Sequence, residues 1–239
     1  MEGAVPDDGI GELLVTSRSL AEYRAMFALS EADMRLGVLD CPGGASSATA
    51  EINAAGGNAF AVDPVYGRGL TATQLAQLTQ ADTNRGNAYV RAHSDLYRWT
   101  FFADADHHHR SRSQAGHRFA RDYAEHPDHY IAAELPHLPF SDKVFDLVLS
   151  SHLLFSYADR LTRGFHREAI NELVRLARVE VRIFPLVAMG PVSYAPDELL
   201  PALHADGITA RVVDVDYEFQ AGGNQMLVCT PKGPRASRL

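Results

Sequence analysis

The residues of this 239-residue chain best suited to chemistry are acids and a histidine set at the ends of apolar runs. Asp40 closes the run Val38-Leu39 and is followed by Cys41-Pro42-Gly43-Gly44-Ala45-Ser46-Ser47. That pattern predicts a strand, a tight glycine turn and a helix over about 47–55, because glycines remove Cβ atoms and Ser46 or Ser47 can cap a helix. A helix start presents N–H groups with no intrahelical partner, and bare backbone lets a ligand come close. A second apolar run, Ala59-Phe60-Ala61-Val62, ends in Asp63. An acid about 20 residues beyond a glycine turn, at the tip of the next strand, is placed to accept hydrogen bonds from both hydroxyls of a ribose. The unit therefore reads as a site for an adenosine-containing cofactor, with Asp40, Cys41, Pro42, Gly43, Gly44, Asp63 and Pro64 as candidate contacts.

His152 lies just beyond the apolar run that ends at Ser150. Residues outside the carboxyl ends of strands in a doubly wound sheet face the ligand crevice, so Ser150 is a candidate cofactor contact and His152 a candidate general base. The alternative is that His152 caps the next helix or orders a neighbour. Glu180 and Arg182 alternate with Val181 and Ile183 on an expected interior strand, where charges are costly unless paired. Either they pair with neighbours, or Arg182 reaches the pocket and grips an anionic substrate. His107, His108 and His109 follow Asp104 and Asp106, but adjacent residues on a helix point about 100° apart and do not converge on one ion. A solvated interhelical loop is expected there, and no metal site.

These side chains need elements to position them. Leu20, Tyr23, Met26 and Phe27 share one face of a helix expected within 18–35, packed on the sheet or over the cleft, which makes Tyr23 a candidate acceptor contact. The segment 70–126 is too long for one crossover and predicts two or three helices, at about 71–81, 85–102 and 111–125, a cap within 64–129 that hangs over the strand ends. Its aromatics, Tyr66, Trp99 and their neighbours Tyr97, Phe101 and Phe102, either line the acceptor pocket or pack the cap. A strand pattern resumes at 130–133, 134–140 and 144–150, followed by a helix at 164–177, a strand at 179–185 and a helix at 196–205. Runs at 208–219 and 225–230, separated by Gln-Ala-Gly-Gly-Asn, predict an antiparallel hairpin. One α/β domain over 1–239 is expected, with residues 1–11 as a mobile tail.

A net charge of −8 argues against a nucleic-acid partner, since phosphates are gripped mainly by Lys and Arg. No stretch approaches the roughly 18 apolar residues of a membrane span. The acidic first residues lack a secretory layout, and Cys41 and Cys229 give no disulfide framework, so a cytoplasmic location is expected.

The chain resembles class I S-adenosylmethionine-dependent methyltransferases of the small-molecule, type 11-like kind. The likeness is carried by Val38-Leu39-Asp40 with its loop and Asp63, by Glu134-Leu135-Pro136-His137-Leu138-Pro139-Phe140 followed by Phe145-Asp146-Leu147-Val148, and by the terminal hairpin. The loop and the segments Ser151-His152-Leu153-Leu154-Phe155 and Glu180-Val181-Arg182-Ile183-Phe184 are similar to those of a bacterial subgroup with no assigned substrate. The resemblance implies a seven-stranded, mostly parallel sheet with an antiparallel last strand, and S-adenosylmethionine as cofactor. It also implies that Asp40 holds the cofactor's ammonium, directly or through water, while Glu134 accepts from the adenine amino group and the Leu135 N–H donates to a ring nitrogen. Pro42, Gly44 and Ser46 stand where the family has three glycines. The expected activity is in-line methyl transfer to an oxygen, nitrogen or carbon atom of a small-molecule acceptor. The alternatives are a cofactor binder that transfers no methyl and, less favoured, an NAD-dependent oxidoreductase.

Overall fold

The computed structural model describes residues 14–189 and 198–231. The expected tail at 1–11 and the first two positions of the helix expected at 196–205 lie outside the described residues. A seven-stranded sheet runs through the molecule in the order β3-β2-β1-β4-β5-β7-β6. Its members are β1 (Gly37–Asp40), β2 (Asn58–Val62), β3 (Tyr130–Ile131), β4 (Phe145–Ser151), β5 (Ala177–Phe184), β6 (Ile208–Asp214) and β7 (Gln225–Pro231). The first five pair in parallel, and β7 inserts antiparallel between β5 and β6. This is the arrangement implied by the resemblance to class I methyltransferases.

Alternating side chains of the central strands feed opposite layers, as a pleat of period two requires. Leu39 and Val148 enter one cluster, with Ile170 and Leu173 of α5 (Arg163–Leu176) and Leu203 of α6 (Leu200–Ala205). Val38, Leu147 and Leu149 enter the other, with Met26 of α1 (Leu20–Met26) and Ile52 of α2 (Ala48–Ala54). Burial on both faces explains why β4 reads as a near-continuous apolar run. The segment 134–140, expected to continue the strand pattern, forms a turn with one bridge from Glu134 to His137.

Between β2 and β3 lie two long helices, α3 (Ala72–Ala92) and α4 (Ala105–Glu125), within the two or three expected but with other bounds. Thr71 and Gln74 start α3 with reciprocal capping bonds. The expected break near residue 82 does not occur, because the polar side chains there have tertiary partners. Asp82 accepts from the Val15 N–H at 2.8 Å, and the Thr83 hydroxyl meets that of Ser17 at 3.2 Å. Asp104 caps α4 by accepting from the His107 N–H, so the three histidines lie on a helix and not in a solvated loop. Their rings diverge: His107 accepts from the Ala103 N–H, His109 meets Asn84, and His108 is buried. Among the described residues no cluster suited to a metal ion occurs, and no helix is long and apolar enough to cross a membrane.

Candidate functional site

A cleft of about 320 Å³ opens at the carboxyl ends of β1, β2 and β4. Its walls include Cys41, Pro42, Gly43 and Gly44 of the first loop, Asp63 and Pro64 after β2, Glu134 and Leu135, and Ser151 and His152 at the end of β4. The N-terminal segment closes it with Thr16, Arg18 and Tyr23. Four stretches far apart in sequence thus meet where a doubly wound sheet places its ligand.

The loop itself departs from the expectation that it bares its N–H groups. Cys41 donates to Leu149, Gly43 to Val62, Ala45 to Thr16, Ser46 to Gly43 and Ser47 to Arg18, each to a carbonyl. Gly44 donates to Asp63 Oδ2 at 2.9 Å and Ala48 to Ser46 Oγ at 3.0 Å, while Pro42 has no N–H. Every loop N–H from 41 to 48 therefore has a partner within the protein. The glycines serve the protein's own packing as well. A Cβ on Gly43 would lie 2.8 Å from both Ala61 Cβ and the Tyr66 hydroxyl, and Gly44 has φ +52°.

Asp63 uses both carboxylate oxygens at the strand tip, Oδ2 for Gly44 and Oδ1 for the Val65 N–H at 2.9 Å. Each oxygen keeps a further lone pair, so a ribose diol finds acceptors on a carboxylate already fixed in place. Burial raises the pKa of Asp63, and the two backbone bonds oppose that rise. Glu134 is solvent-exposed at the rim of the cleft, beside buried Leu135.

Several expected contacts stand elsewhere. Asp40 lies behind the wall; Tyr23, which faces the cleft, donates to its two oxygens at 3.1 and 2.9 Å. Burial pushes the Asp40 carboxyl up to about 8, against the pull of that Tyr23 bond. Asp40 thus does not line the cleft itself, and Tyr23, expected as an acceptor contact, lines the cleft and not the second cavity. Ser150 is buried within β4 with its Oγ unpartnered, and Ser151, one residue on, reaches the wall instead. Tyr66 shores the loop from behind, donating to the Gly44 carbonyl at 2.8 Å among Phe119, Tyr123 and Tyr130. Trp99 packs edge-on against Phe219, 5.6 Å between centroids, and lines neither cavity. Arg182 pairs with Glu180 at 2.7 Å, donates to the Phe27 carbonyl at 2.8 Å and meets Asp33 at 3.3 Å, so it ties β5 to the segment after α1 and does not reach the cleft.

His152 holds the central position. It has φ 51°, unusual for a side-chain-bearing residue, fixed by donation of its N–H to the Phe184 carbonyl at 2.7 Å. Its Nδ1 lies 2.8 Å from Ser151 Oγ. Burial first, then Arg18 and Arg112, press its pKa well below 6.5, so the ring is neutral at neutral pH. His152 and Arg18 line both the cleft and a second cavity of about 110 Å³ enclosed by α3, α4, the end of β5 and the loop between β6 and β7.

Arg18 is the residue that sequence reasoning passed over. It carries no motif, and its place at the junction follows from the N-terminal segment crossing the loop.

No family model matches the chain. A protein of Methanocaldococcus jannaschii, named only as the uncharacterized protein MJ0045, is 30% identical over 219 residues, 91% of this chain and 96% of its own. Among solved structures, magnesium protoporphyrin IX methyltransferase from Synechocystis PCC 6803 with bound SAH is similar over 89% of this chain and 81% of its own, with 11% identity and a TM-score of 0.47. The 1,6-didemethyltoxoflavin-N1-methyltransferase of Burkholderia thailandensis is similar over 82% of this chain and 69% of its own, with 16% identity and a TM-score of 0.43.

Proposed function

From the premise that the chain belongs to the family of the archaeal protein MJ0045, whose name assigns no activity, we propose on the geometry of the site that it is an S-adenosylmethionine-dependent methyltransferase acting on a small molecule. The observation that carries this reading is the complete internal pairing of the loop N–H groups from 41 to 48. A dinucleotide needs such groups for its pyrophosphate, at the helix start beyond the glycine turn. A cofactor with an adenosine at one end and an amino acid at the other does not. The loop from 41 to 48 offers a pyrophosphate none of them, which weighs against the NAD alternative.

In this reading Asp63 takes the ribose, Glu134 and Leu135 take the adenine, and the loop with Tyr23 and Asp40 takes the methionine end. When bound, S-adenosylmethionine supplies an electrophilic methyl group. The chain's own work is then to align the acceptor, exclude water and remove an acceptor proton where there is one. His152 suits the last task, being neutral, fixed at its backbone and Nδ1, and on the border between the cleft and the second cavity. The helices α3 and α4 form the far wall of that cavity and act as the acceptor-binding cap.

Titration calorimetry tests the assignment. S-adenosylmethionine and S-adenosylhomocysteine should bind the purified protein, and NAD and NADP should give no heat of binding. Tight NAD binding without S-adenosylhomocysteine binding overturns it.

A further inference from the structure

The second cavity is walled largely by aromatic and apolar groups, among them Tyr97, Phe184, Tyr217 and Phe219, yet it carries buried cationic chemistry. Arg112 spends its guanidinium within the protein. Nη1 and Nη2 meet the two Glu22 oxygens at 2.6 and 2.7 Å, Nη1 also donates to the Ser17 carbonyl at 3.0 Å, and Nε donates to His108 Nε2 at 3.2 Å. Glu22 takes a further bond from the Tyr217 hydroxyl at 2.7 Å. Arg18 is left beside this saturated carboxylate. Its Nε stands 3.8 Å from Glu22 Oε1, beyond hydrogen-bond range, and its one side-chain bond runs from Nη1 to Thr16 Oγ1 at 2.7 Å.

Two donors of residues on this wall therefore lack acceptors, though both atoms are closed off from the open cavity. The Nε–H of Arg18, a residue 9% exposed, has no partner. His108, 5% exposed, accepts at Nε2 from Arg112, which puts its proton on Nδ1, and Nδ1 is likewise unpartnered. A buried donor without an acceptor is costly, more so when charged, and Arg18 Nη2 also makes no hydrogen bond, so the wall shared with the cleft points to a ligand that supplies an acceptor. The remaining acid on the wall, Asp82, is taken by the Val15 N–H and by Arg85 at 3.1 Å. Two arginines thus share Glu22, and the surplus positive charge sits at the junction with the cleft.

We propose that this cavity, where it meets the cleft, is the acceptor subsite and takes a small aromatic carboxylate, its ring at the aromatic walls and its anion met by Arg18. At about 110 Å³ the cavity is smaller than the roughly 150 Å³ that accommodates benzene, so the ring enters it in part and the rest of the molecule lies toward the cleft, with which the cavity shares Arg18 and His152. This rests on the methyltransferase reading, and it assigns to Arg18 the anion-binding role that is one of the two alternatives the sequence leaves for Arg182.

A carboxylate on the cofactor's methionine end is the other source of the same chemistry, and the experiment separates the two. Benzoate, phenylacetate and cinnamate, each paired with its neutral amide, are titrated into protein saturated with S-adenosylhomocysteine. The acids should bind at least tenfold more tightly than the amides. In Arg18→Gln the preference should fall to within about twofold, and the affinity ratio of S-adenosylhomocysteine to 5′-methylthioadenosine, which lacks the carboxylate, should equal that of the unmodified protein. Equal binding of acids and amides by the unmodified protein overturns the proposal without any variant, and so does binding of neither while S-adenosylhomocysteine binds. A ratio that collapses in Arg18→Gln assigns Arg18 to the cofactor instead. Failure of S-adenosylhomocysteine to bind at all removes the methyltransferase reading, and is seen in the loading step before any acid is added.

Discussion

The cleft and the cavity beside it are built by different means. The cleft is walled by turns at strand ends, drawn from four short stretches whose backbone the sheet fixes, and its acid Asp63 is held by two backbone N–H groups next to it in the fold. The cavity is walled by side chains from the N-terminal segment, α3, α4, β5 and the β6–β7 loop, and its charges are held by one another across as many as 195 positions, as Tyr217 and Glu22 are. A site made of strand ends follows from topology and is shared by every sequence that adopts the sheet. A site made of long-range side-chain pairs depends on the particular side chains present, and in the proposed reading it is where the scaffold takes its acceptor.

Glu22→Gln should have the largest effect on stability. It leaves Arg112 and Arg18 buried without a carboxylate, and removal of one partner of a buried pair costs about 3–5 kcal/mol. Urea unfolding reads the loss directly. An unchanged midpoint would show that the cavity is not organised by this pair.

His152→Ala should lower turnover by about a hundredfold to ten-thousandfold once an acceptor is in hand. Protonation disables a base, and burial has moved this one down, so the unmodified protein should keep its activity from pH 8 to below 6.5 and lose it only in more acidic buffer. An acid limb at or above 6.5 would place the titrating group elsewhere. Full activity in the variant would leave alignment alone as the source of rate.

Asp63→Ala removes the acceptor of the Gly44 and Val65 N–H groups, bonds worth about 1.5–3 kcal/mol each when the acceptor is charged. Melting temperature and S-adenosylhomocysteine affinity should fall together, the latter at least tenfold. If affinity holds while the melting temperature drops, the ribose is not on Asp63. Arg182→Gln is the contrasting case: a loss of about 1–3 kcal/mol with cofactor and carboxylate affinities within twofold of the unmodified protein, because its partners are Glu180, Asp33 and the Phe27 carbonyl.

Asp40→Asn has the smallest effect at low pH and a growing one as pH rises. The folded carboxyl, pushed up to about 8, keeps a proton that the unfolded chain gives up above about 4. Between those values the native state binds more protons, so its stability falls with rising pH by about 1.4 kcal/mol per unit from this group. Asparagine removes that slope, and the variant should gain relative stability from pH 5 to 8 in parallel denaturation curves. Parallel slopes would mean that Asp40 is ionised in the fold.

The same division governs what the sequence discloses. Val38-Leu39-Asp40, the glycine turn and Asp63 are local patterns with a fixed relation to strand and helix, and the cleft they predict is the one the structure contains. The run 144–150 announced a central strand for the same reason. Roles that depend on which way a side chain faces were not legible. Ser150 and Ser151 differ by one position on a strand, and one of them is buried in the sheet while its neighbour lines the cleft. Arg182 and Arg18 are alike as residue types, but the first is spent on Glu180 and Asp33, whereas the second lies where the N-terminal segment crosses the loop. The long α3 was hidden because Asp82 and Thr83 look like a break until their partners on residues 15 and 17 are known.

A crystal structure with S-adenosylhomocysteine tests the central claim most directly. The adenine should lie beside Glu134 and Leu135, the ribose hydroxyls on Asp63, the amino-acid end toward Tyr23 and the loop, and the sulfur should face His152 and the mouth of the second cavity. Density for the ligand outside the cleft, or an orientation that turns the sulfur away from His152, would contradict the account.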